Sequence, residues 1–263
     1  MMKIEQLKRK ETLQNEEPKC LKCGRGLTSK QISKKNKFCC HGCATSYRQM
    51  AHDPNIFEIK DKDILYYLLG LIFTDGNLDV LETRVTLSLT QKEVIEYLYP
   101  YFCDVVKRKI YEYQPKNCKN AHCSYTIINT NLETINELKK MSLTPKNSSN
   151  KQFPNIPLPY ISSFLRGVFD GDGCIFNNTN KANNKKYQKI TITCASEKFV
   201  DGLVNILNYI GLTPTVVLDS RRKNNEIKTY YVCINRQRDI RYFFDFIYKD
   251  AQIYINYKKQ KFA

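Results

Sequence analysis

The chain contains no tryptophan and no apolar run near the roughly 18 residues of a membrane-spanning helix; its strongest candidate, Leu65 to Phe73, is far too short. The first ten residues, Met1 to Lys10, are charged and lack the apolar core of a secretory signal. These absences predict no membrane partner and a reducing location, in the cytoplasm with the nucleoid or in an organelle matrix. In that setting the eleven cysteines are read as thiols or metal ligands rather than as disulfides. Acid is also scarce: 26 Asp and Glu stand against 42 Lys and Arg, a formal net charge of +16 and a pI near 9.3. A surplus of that size favours a polyanionic partner, and nucleic acid is the usual one. Eighteen tyrosines and 13 phenylalanines are ample for a core and for ring contacts with bases.

What the sequence does have is a duplication. The segment LLGLIFTDG, Leu68 to Gly76, has a near-copy in LRGVFDGDG, Leu165 to Gly173. Each is an apolar run with glycine at its third position, closed by an Asp-Gly pair. Around them the periodicity repeats. In the first half, 63–75 predicts a helix with Gly76 as its stop, 84–89 a strand, 92–102 a helix, 107–113 and 124–128 a strand pair, and 132–141 a helix. In the second, 162–172 predicts a helix, 187–194 a strand, 198–210 a helix, 213–218 and 228–234 a strand pair, and 240–248 a helix. The polar stretches 177–186 and 220–226 predict exposed hairpin turns. The implied division is a polar tail (1–19), a cysteine-rich module (20–50), a polar connector (51–62), a first half (63–150) and a second half (151–263).

A glycine inside a helix costs about 1 kcal/mol relative to alanine, so Gly70 and Gly167 need a compensating reason. Close approach of two helices is the natural one, and both residues are predicted at a helix interface. Simple helix packing explains the glycines but not the acids. Asp75 and Asp172 each fall at a helix C-terminus, where the macrodipole disfavours negative charge. If the helices lie side by side the two carboxylates also repel each other. Such a pair invites a hard divalent cation, which prefers a few carboxylates together with phosphate oxygens. Asp170 has only Phe73 opposite it in the first copy and is read as peripheral.

These paired segments resemble the double signature of the LAGLIDADG homing endonucleases, in the form that carries both copies in one chain, over about residues 63–263. The resemblance implies an α+β fold of two pseudo-symmetric αββαββα halves, each offering a saddle-shaped antiparallel sheet to the major groove of double-stranded DNA. It also implies a monomer in which Asp75 and Asp172 hold Mg²⁺ or Mn²⁺ beside two scissile phosphates. Three further residues are drawn in by the same resemblance: Gln91 as a polar residue positioning water, with Ser196 as its counterpart, and Lys146 and Lys258 as the active-site lysines. Tyr257 stands where that family usually has arginine, so the register at Lys258 departs from the pattern.

Five cysteines cluster near the N-terminus. Cys20 and Cys23 form a CxxC in CLKCGRG, and FCCHGC then supplies Cys39, sixteen positions after Cys23, with Cys40 and Cys43. Two ligand pairs separated by a short polar loop are the sequence form of a tetrahedral structural zinc site. The cluster resembles a treble-clef finger, a register that implies Cys20, Cys23, Cys39 and Cys43 as ligands; a CxxC-type second pair would use Cys40 in place of Cys39. Cys118, His122 and Cys123 have an odd spacing at an expected turn and are read as bland, and Cys103, Cys174, Cys194 and Cys233 as ordinary thiols.

The sequence therefore points to a sequence-specific DNA endonuclease with a zinc-binding module. A non-cleaving DNA-binding regulator of the same fold and a maturase acting on intron RNA are the rivals. No intein-type splicing residues frame the motifs, which favours a free-standing enzyme.

Overall fold

Asp61 starts the first long helix: its carboxylate accepts the backbone N–H groups of Asp63 and Ile64, at 2.9 and 3.4 Å. The computed structural model describes residues 18–49, 52–115, 122–145, 149–179, 186–219 and 228–262. The chain forms two units, Met1–Ala51 and His52–Ala263. Among its described residues the smaller has the helices α1 (Ser29–Ser33) and α2 (His41–Gln49). The larger contains α3 (Lys62–Asp75), β1 (Gly76–Leu78), β2 (Val85–Leu89), α4 (Lys92–Phe102), β3 (Tyr111–Tyr113), β4 (Ser124–Asn129) and α5 (Leu132–Lys140). The order then recurs as α6 (Ile161–Asp172), β5 (Gly173–Thr179), β6 (Lys186–Cys194), α7 (Glu197–Tyr209), β7 (Thr215–Leu218), β8 (Tyr230–Ile234) and α8 (Gln237–Tyr248), with a short α9 (Asn256–Gln260) after it. No helix among the described residues is long and apolar enough to cross a membrane.

The two halves have one topology. The strands order as β1-β2-β4-β3 and β5-β6-β8-β7, all antiparallel. Their registers correspond: Gly76 pairs with Leu87 as Gly173 pairs with Ile192. Alternation decides which face is inside. Val85, Leu87 and Leu89 of β2, and Ile190 and Ile192 of β6, are buried against the helices. The expected α+β architecture with two antiparallel sheets is therefore present.

Both Asp-Gly pairs do something other than end a helix in a turn. Gly76 and Gly173 have φ of −80° and −82°, which is extended backbone, and the chain passes from helix directly into β1 and β5. Glycine is required because a Cβ at Gly76 would lie 2.3 Å from the Ile72 carbonyl oxygen, and one at Gly173 would lie 2.2 Å from the Phe169 ring. Reading Gly76 only as a stop hides β1, which at three residues is too short to show alternation. In the second half β5 and β6 extend into the stretch expected to be a turn, leaving 180–185 between them outside the described residues. The second expected turn (220–226) and Cys118 also lie outside them.

Residues 52–61, expected as part of a polar connector, are packed into the larger unit. Ile56 is fully buried, and the Asp53 carboxylate receives the Arg108 guanidinium at 2.8 and 3.2 Å together with the Thr130 N–H and hydroxyl. The ion pair ties the segment to the stretch before β3 and the Thr130 bonds tie it to the end of β4; with the Asp104 N–H they hold the Asp53 carboxyl below its usual range despite its burial.

The centre of the larger unit is the contact of α3 with α6. They run parallel: Asp63 meets Ser163 and Arg166 at one end, Gly70 meets Gly167 in the middle, and Thr74 with Asp75 meets Gly171 at the other. A Cβ on Gly167 would sit 2.2 Å from the Tyr67 carbonyl oxygen and 2.9 Å from the Gly70 Cα. A Cβ on Gly70 would sit 2.4 Å from the Phe164 carbonyl oxygen. The obstacles are backbone atoms, which a rotamer change cannot move. Gly171 extends the same contact, since a Cβ there would strike the Thr74 hydroxyl at 2.0 Å.

Gly167→Ala should therefore destabilise the protein by about 3 kcal/mol, the upper part of the usual overpacking range, or roughly 6–12 °C in Tm for a domain of this size. Thermal unfolding of the variant checks this, and an unchanged Tm would show that the helices do not meet there.

Candidate active site

Because α3 and α6 are parallel, their C-termini emerge together and present Asp75 and Asp172 side by side. Each helix end carries unpaired carbonyls and partial negative charge, so the two acids lie where negative charge is least welcome. Burial raises the Asp75 carboxyl above its usual range, against the opposing effects of the Thr74 hydroxyl, Lys258 and Lys151. Burial raises Asp172 further, to about 6, and repulsion from Asp75 adds to it while the same two lysines oppose it. The Thr74 hydroxyl donates to Asp75 Oδ2 at 3.0 Å.

Two buried lysines cap this negative end. Lys258, 6 % exposed, donates from Nζ to the carbonyl oxygens of Phe169 (3.1 Å), Gly171 (2.8 Å) and Asp170, the last turn of α6. Burial lowers its pKa, while Asp170, Asp75 and Asp172 pull it back up. Lys151, 9 % exposed, does the same for α3 by donating to the Phe73 carbonyl oxygen. Each ammonium also lies over an aromatic ring, Lys151 over Phe199 at 5.0 Å and Lys258 over Phe169 at 5.9 Å. The pseudo-symmetric partner of Lys258 is thus Lys151. Lys146, the residue the sequence resemblance suggested, lies outside the described residues. No matching spacing in the chain singles out Lys151: Phe153 and Phe262 follow the two lysines at different distances, and both pack on rings of the second half.

The remaining candidates divide. Gln91 precedes the first turn of α4, and its amide donates to the Thr90 hydroxyl at 2.7 Å. Ser196 is fully buried, and its hydroxyl donates to the Lys151 carbonyl oxygen at 2.5 Å, so it anchors the lysine's backbone. Asp170 is not peripheral. It is 2 % exposed and accepts from the Tyr67 hydroxyl (2.9 Å), the Tyr248 hydroxyl (2.6 Å) and the Ile255 N–H (2.8 Å). Burial raises its carboxyl despite these donors. The Ile255 bond fixes the chain three residues before Lys258, so Asp170 serves the site as a tether. At the opposite end of the helix pair, Arg166 donates to both Asp63 oxygens at 2.7 Å, beside the N-terminus of α3 where a carboxylate is favoured.

In the smaller unit, one sulfur atom from each of Cys20, Cys23, Cys39 and Cys43 falls within 4.8 Å of the other three. Cys39 lies 3.6 Å from both Cys23 and Cys43. A tetrahedral site with Zn–S bonds of 2.3 Å has sulfurs about 3.8 Å apart, so the donor set fits one such ion. The knuckle is built by Gly24, whose φ of +71° lets its N–H reach the Cys20 carbonyl at 2.9 Å. Cys40 is outside the cluster, and its sulfur accepts the Cys43 N–H at 3.3 Å. Of the two cysteines the sequence left open, Cys39 is the one whose sulfur joins the cluster.

Comparison with known proteins places this geometry. A family model described as a LAGLIDADG-like domain matches residues 159–248, within the second half. The homing endonuclease I-WcaI, solved bound to its DNA recognition sequence, superposes with a TM-score of 0.53 at 15% identity, over 84% of this chain and 92% of that one. The fold is the LAGLIDADG fold. Two curated relatives from Methanocaldococcus jannaschii also match. One is a probable translation initiation factor IF-2, 25% identical over 203 residues, 74% of this chain and 15% of that protein. The other is the ATP-dependent DNA helicase Hel308, 28% identical over 190 residues, 66% of this chain and 15% of that protein. The chain spans about 15% of the length of either relative, so their named activities do not carry over to it.

Two expectations follow. A carboxyl whose folded pKa of about 6 exceeds its unfolded value near 3.9 stabilises the fold only while protonated, so stability falls as pH rises from about 4 through about 6. Without magnesium, Asp172→Asn should thus be more stable than the parent by on the order of 2 kcal/mol at pH 8, with the gap closing toward pH 4. Urea titrations of both proteins across that range check the sign. Purified protein prepared under reducing conditions should hold one zinc per chain by metal analysis, and Cys20→Ser with Cys23→Ser should lose it.

Proposed function

We propose that this chain is a sequence-specific DNA endonuclease that makes a staggered double-strand break by divalent-metal-dependent hydrolysis. The observation that carries the reading is the convergence of Asp75 and Asp172 at the joint C-termini of two parallel helices, with Lys151 and Lys258 buried beside them. Burial, repulsion between the two acids and both helix dipoles oppose their ionisation. A partner that neutralises them is the natural complement.

The donor set suits Mg²⁺ or Mn²⁺: two carboxylates, with phosphate oxygens of DNA to complete the shell. Such a cation supplies charge neutralisation at the scissile phosphates and an activated water. The chain's own residues do the rest. Asp75 and Asp172 hold the charge in register with two strands across the minor groove. Lys151 and Lys258 bring fixed positive charge to the same point, where a developing oxyanion is best stabilised by groups already in place. Gln91 is assigned to orienting water. The sheets grip the duplex, and the +16 charge draws it in. Zinc at the four cysteines has no open position for water and would be structural, stabilising a segment too small to bury a core of its own. The enzyme is read as a monomer, since both acids are on one chain.

A regulator of the same fold would bind DNA without cutting, and a maturase would prefer intron RNA. With Mg²⁺ and a randomised duplex library, the parent protein should yield cut ends sharing one sequence. Asp75→Asn and Asp172→Asn should each lose double-strand cleavage by at least a hundredfold while still binding that site. Site-specific binding without cleavage by the parent protein would favour the regulator, and binding confined to RNA would favour the maturase.

A further inference from the structure

The outer faces of the two sheets differ in chemistry although their registers match. On the second sheet, Phe176, Lys189, Thr191, Val217, Tyr231 and Cys233 line one open groove of about 350 Å³. The pairings Phe176 with Lys189, Thr191 with Cys233 and Val217 with Tyr231 place all six on one face, opposite the buried Ile190, Ile192 and Val232. Phe176 and Val217 are 46% and 47% exposed. The Tyr231 hydroxyl donates to Asp219 at 2.8 Å, which leaves its ring as the surface offered. On the first sheet the register sets Thr126 at the place of Tyr231, its hydroxyl 2.7 Å from that of Ser88, and Asn77 at the place of Cys174. Elsewhere the first face is apolar too, with Ile128 at the place of Cys233 and Tyr111 at the place of Val217, so the two faces differ at Tyr231 and Cys174, and at Phe176, whose place past the end of β1 is taken by Asp79.

We propose that the second sheet reads its half of the DNA target through thymine methyl groups packed against Phe176 and the Tyr231 ring. This rests on the DNA-binding part of the function proposed above. In the major groove the one apolar feature of any base edge is the thymine 5-methyl, so an apolar groove has a single kind of partner there. Lys189 argues against an apolar protein surface as the occupant, because covering its ammonium without acceptors is costly; base-edge acceptors and phosphates supply them. The groove's place along the target follows from β5, which leaves Asp172 directly. Phe176 is four residues beyond Asp172, about 13 Å at the strand rise of ~3.3 Å. Base pairs stack about 3.4 Å apart, so the methyls read lie about four base pairs from the cut, on one side of it.

The test begins by selecting, on the full-length parent protein, a bound site from a randomised duplex library. Thymines about three to five base pairs from the centre are then replaced by deoxyuridine, which lacks only the methyl, in one half at a time. Binding without magnesium should weaken about fourfold for each methyl lost in one half, from ~0.8 kcal/mol per buried methyl, and less in the other, where Asp79 and Thr126 stand at the places of Phe176 and Tyr231. Phe176→Ser, an exposed change whose Tm serves as the folding control, should erase the thymine preference in that same half. Equal affinity for the thymine and uracil sites would overturn the proposal. So would a uracil effect untouched by Phe176→Ser, or a Phe176→Ser variant that changes only the protein's self-association. A site that is bound but never cut would refute the endonuclease while the uracil comparison still decides this point. Failure to select any site would remove both.

Discussion

The backbone contact between α3 and α6 is the constraint from which the rest of the larger unit follows. With glycine at 70 and 167 the helices touch at main-chain atoms, and the Cβ distances of 2.2 to 2.4 Å show that no side chain fits between them. Parallel packing at that separation leaves little freedom in how the halves face each other. It brings both C-termini to one end, and the two strands that leave them, β1 and β5, start from neighbouring points. The Arg166–Asp63 pair and the Tyr67–Asp170 hydrogen bond cross the same interface and fix the sliding of one helix along the other.

The convergence creates an electrostatic problem that the chain answers from two distant segments. Two helix dipoles and two carboxylates meet in a partly desolvated place. Lys151 comes from the segment between the halves and Lys258 from the last helix, and each donates to the carbonyls its helix leaves open. Both ammoniums are held by backbone acceptors and aromatic rings rather than by a direct ion pair with the acids. The carboxylates therefore keep raised pKa values. Asp170 and Ser196 secure the two lysine-bearing segments, one through Ile255 and one through the Lys151 carbonyl. A site that looks like two acids is an assembly of at least six side chains.

Pseudo-symmetry extends through the strand order and registers but stops at the surface. Burial forces the inner faces of both sheets toward Val, Leu and Ile. The outer faces carry no such demand, and there the halves diverge, as the contrast of Thr126 with Tyr231 illustrates.

The amino-acid sequence by itself determined the duplication, the interface glycines, the paired acids and the CxxC knuckle, because each is a local pattern with a physical reason at fixed spacing. It also determined most helices and the longer strands, whose periodicity extends over enough residues to be read. The three-residue β1 gave no period to read, and the packing of residues 52–61 depends on Arg108, more than fifty residues away. Tertiary structure alone decided that Lys151 is the counterpart of Lys258, that Asp170 is a buried tether, and that Cys39 rather than Cys40 joins the cluster. In each case the deciding quantity is a distance between groups that folding brings together, and no spacing along the chain encodes it.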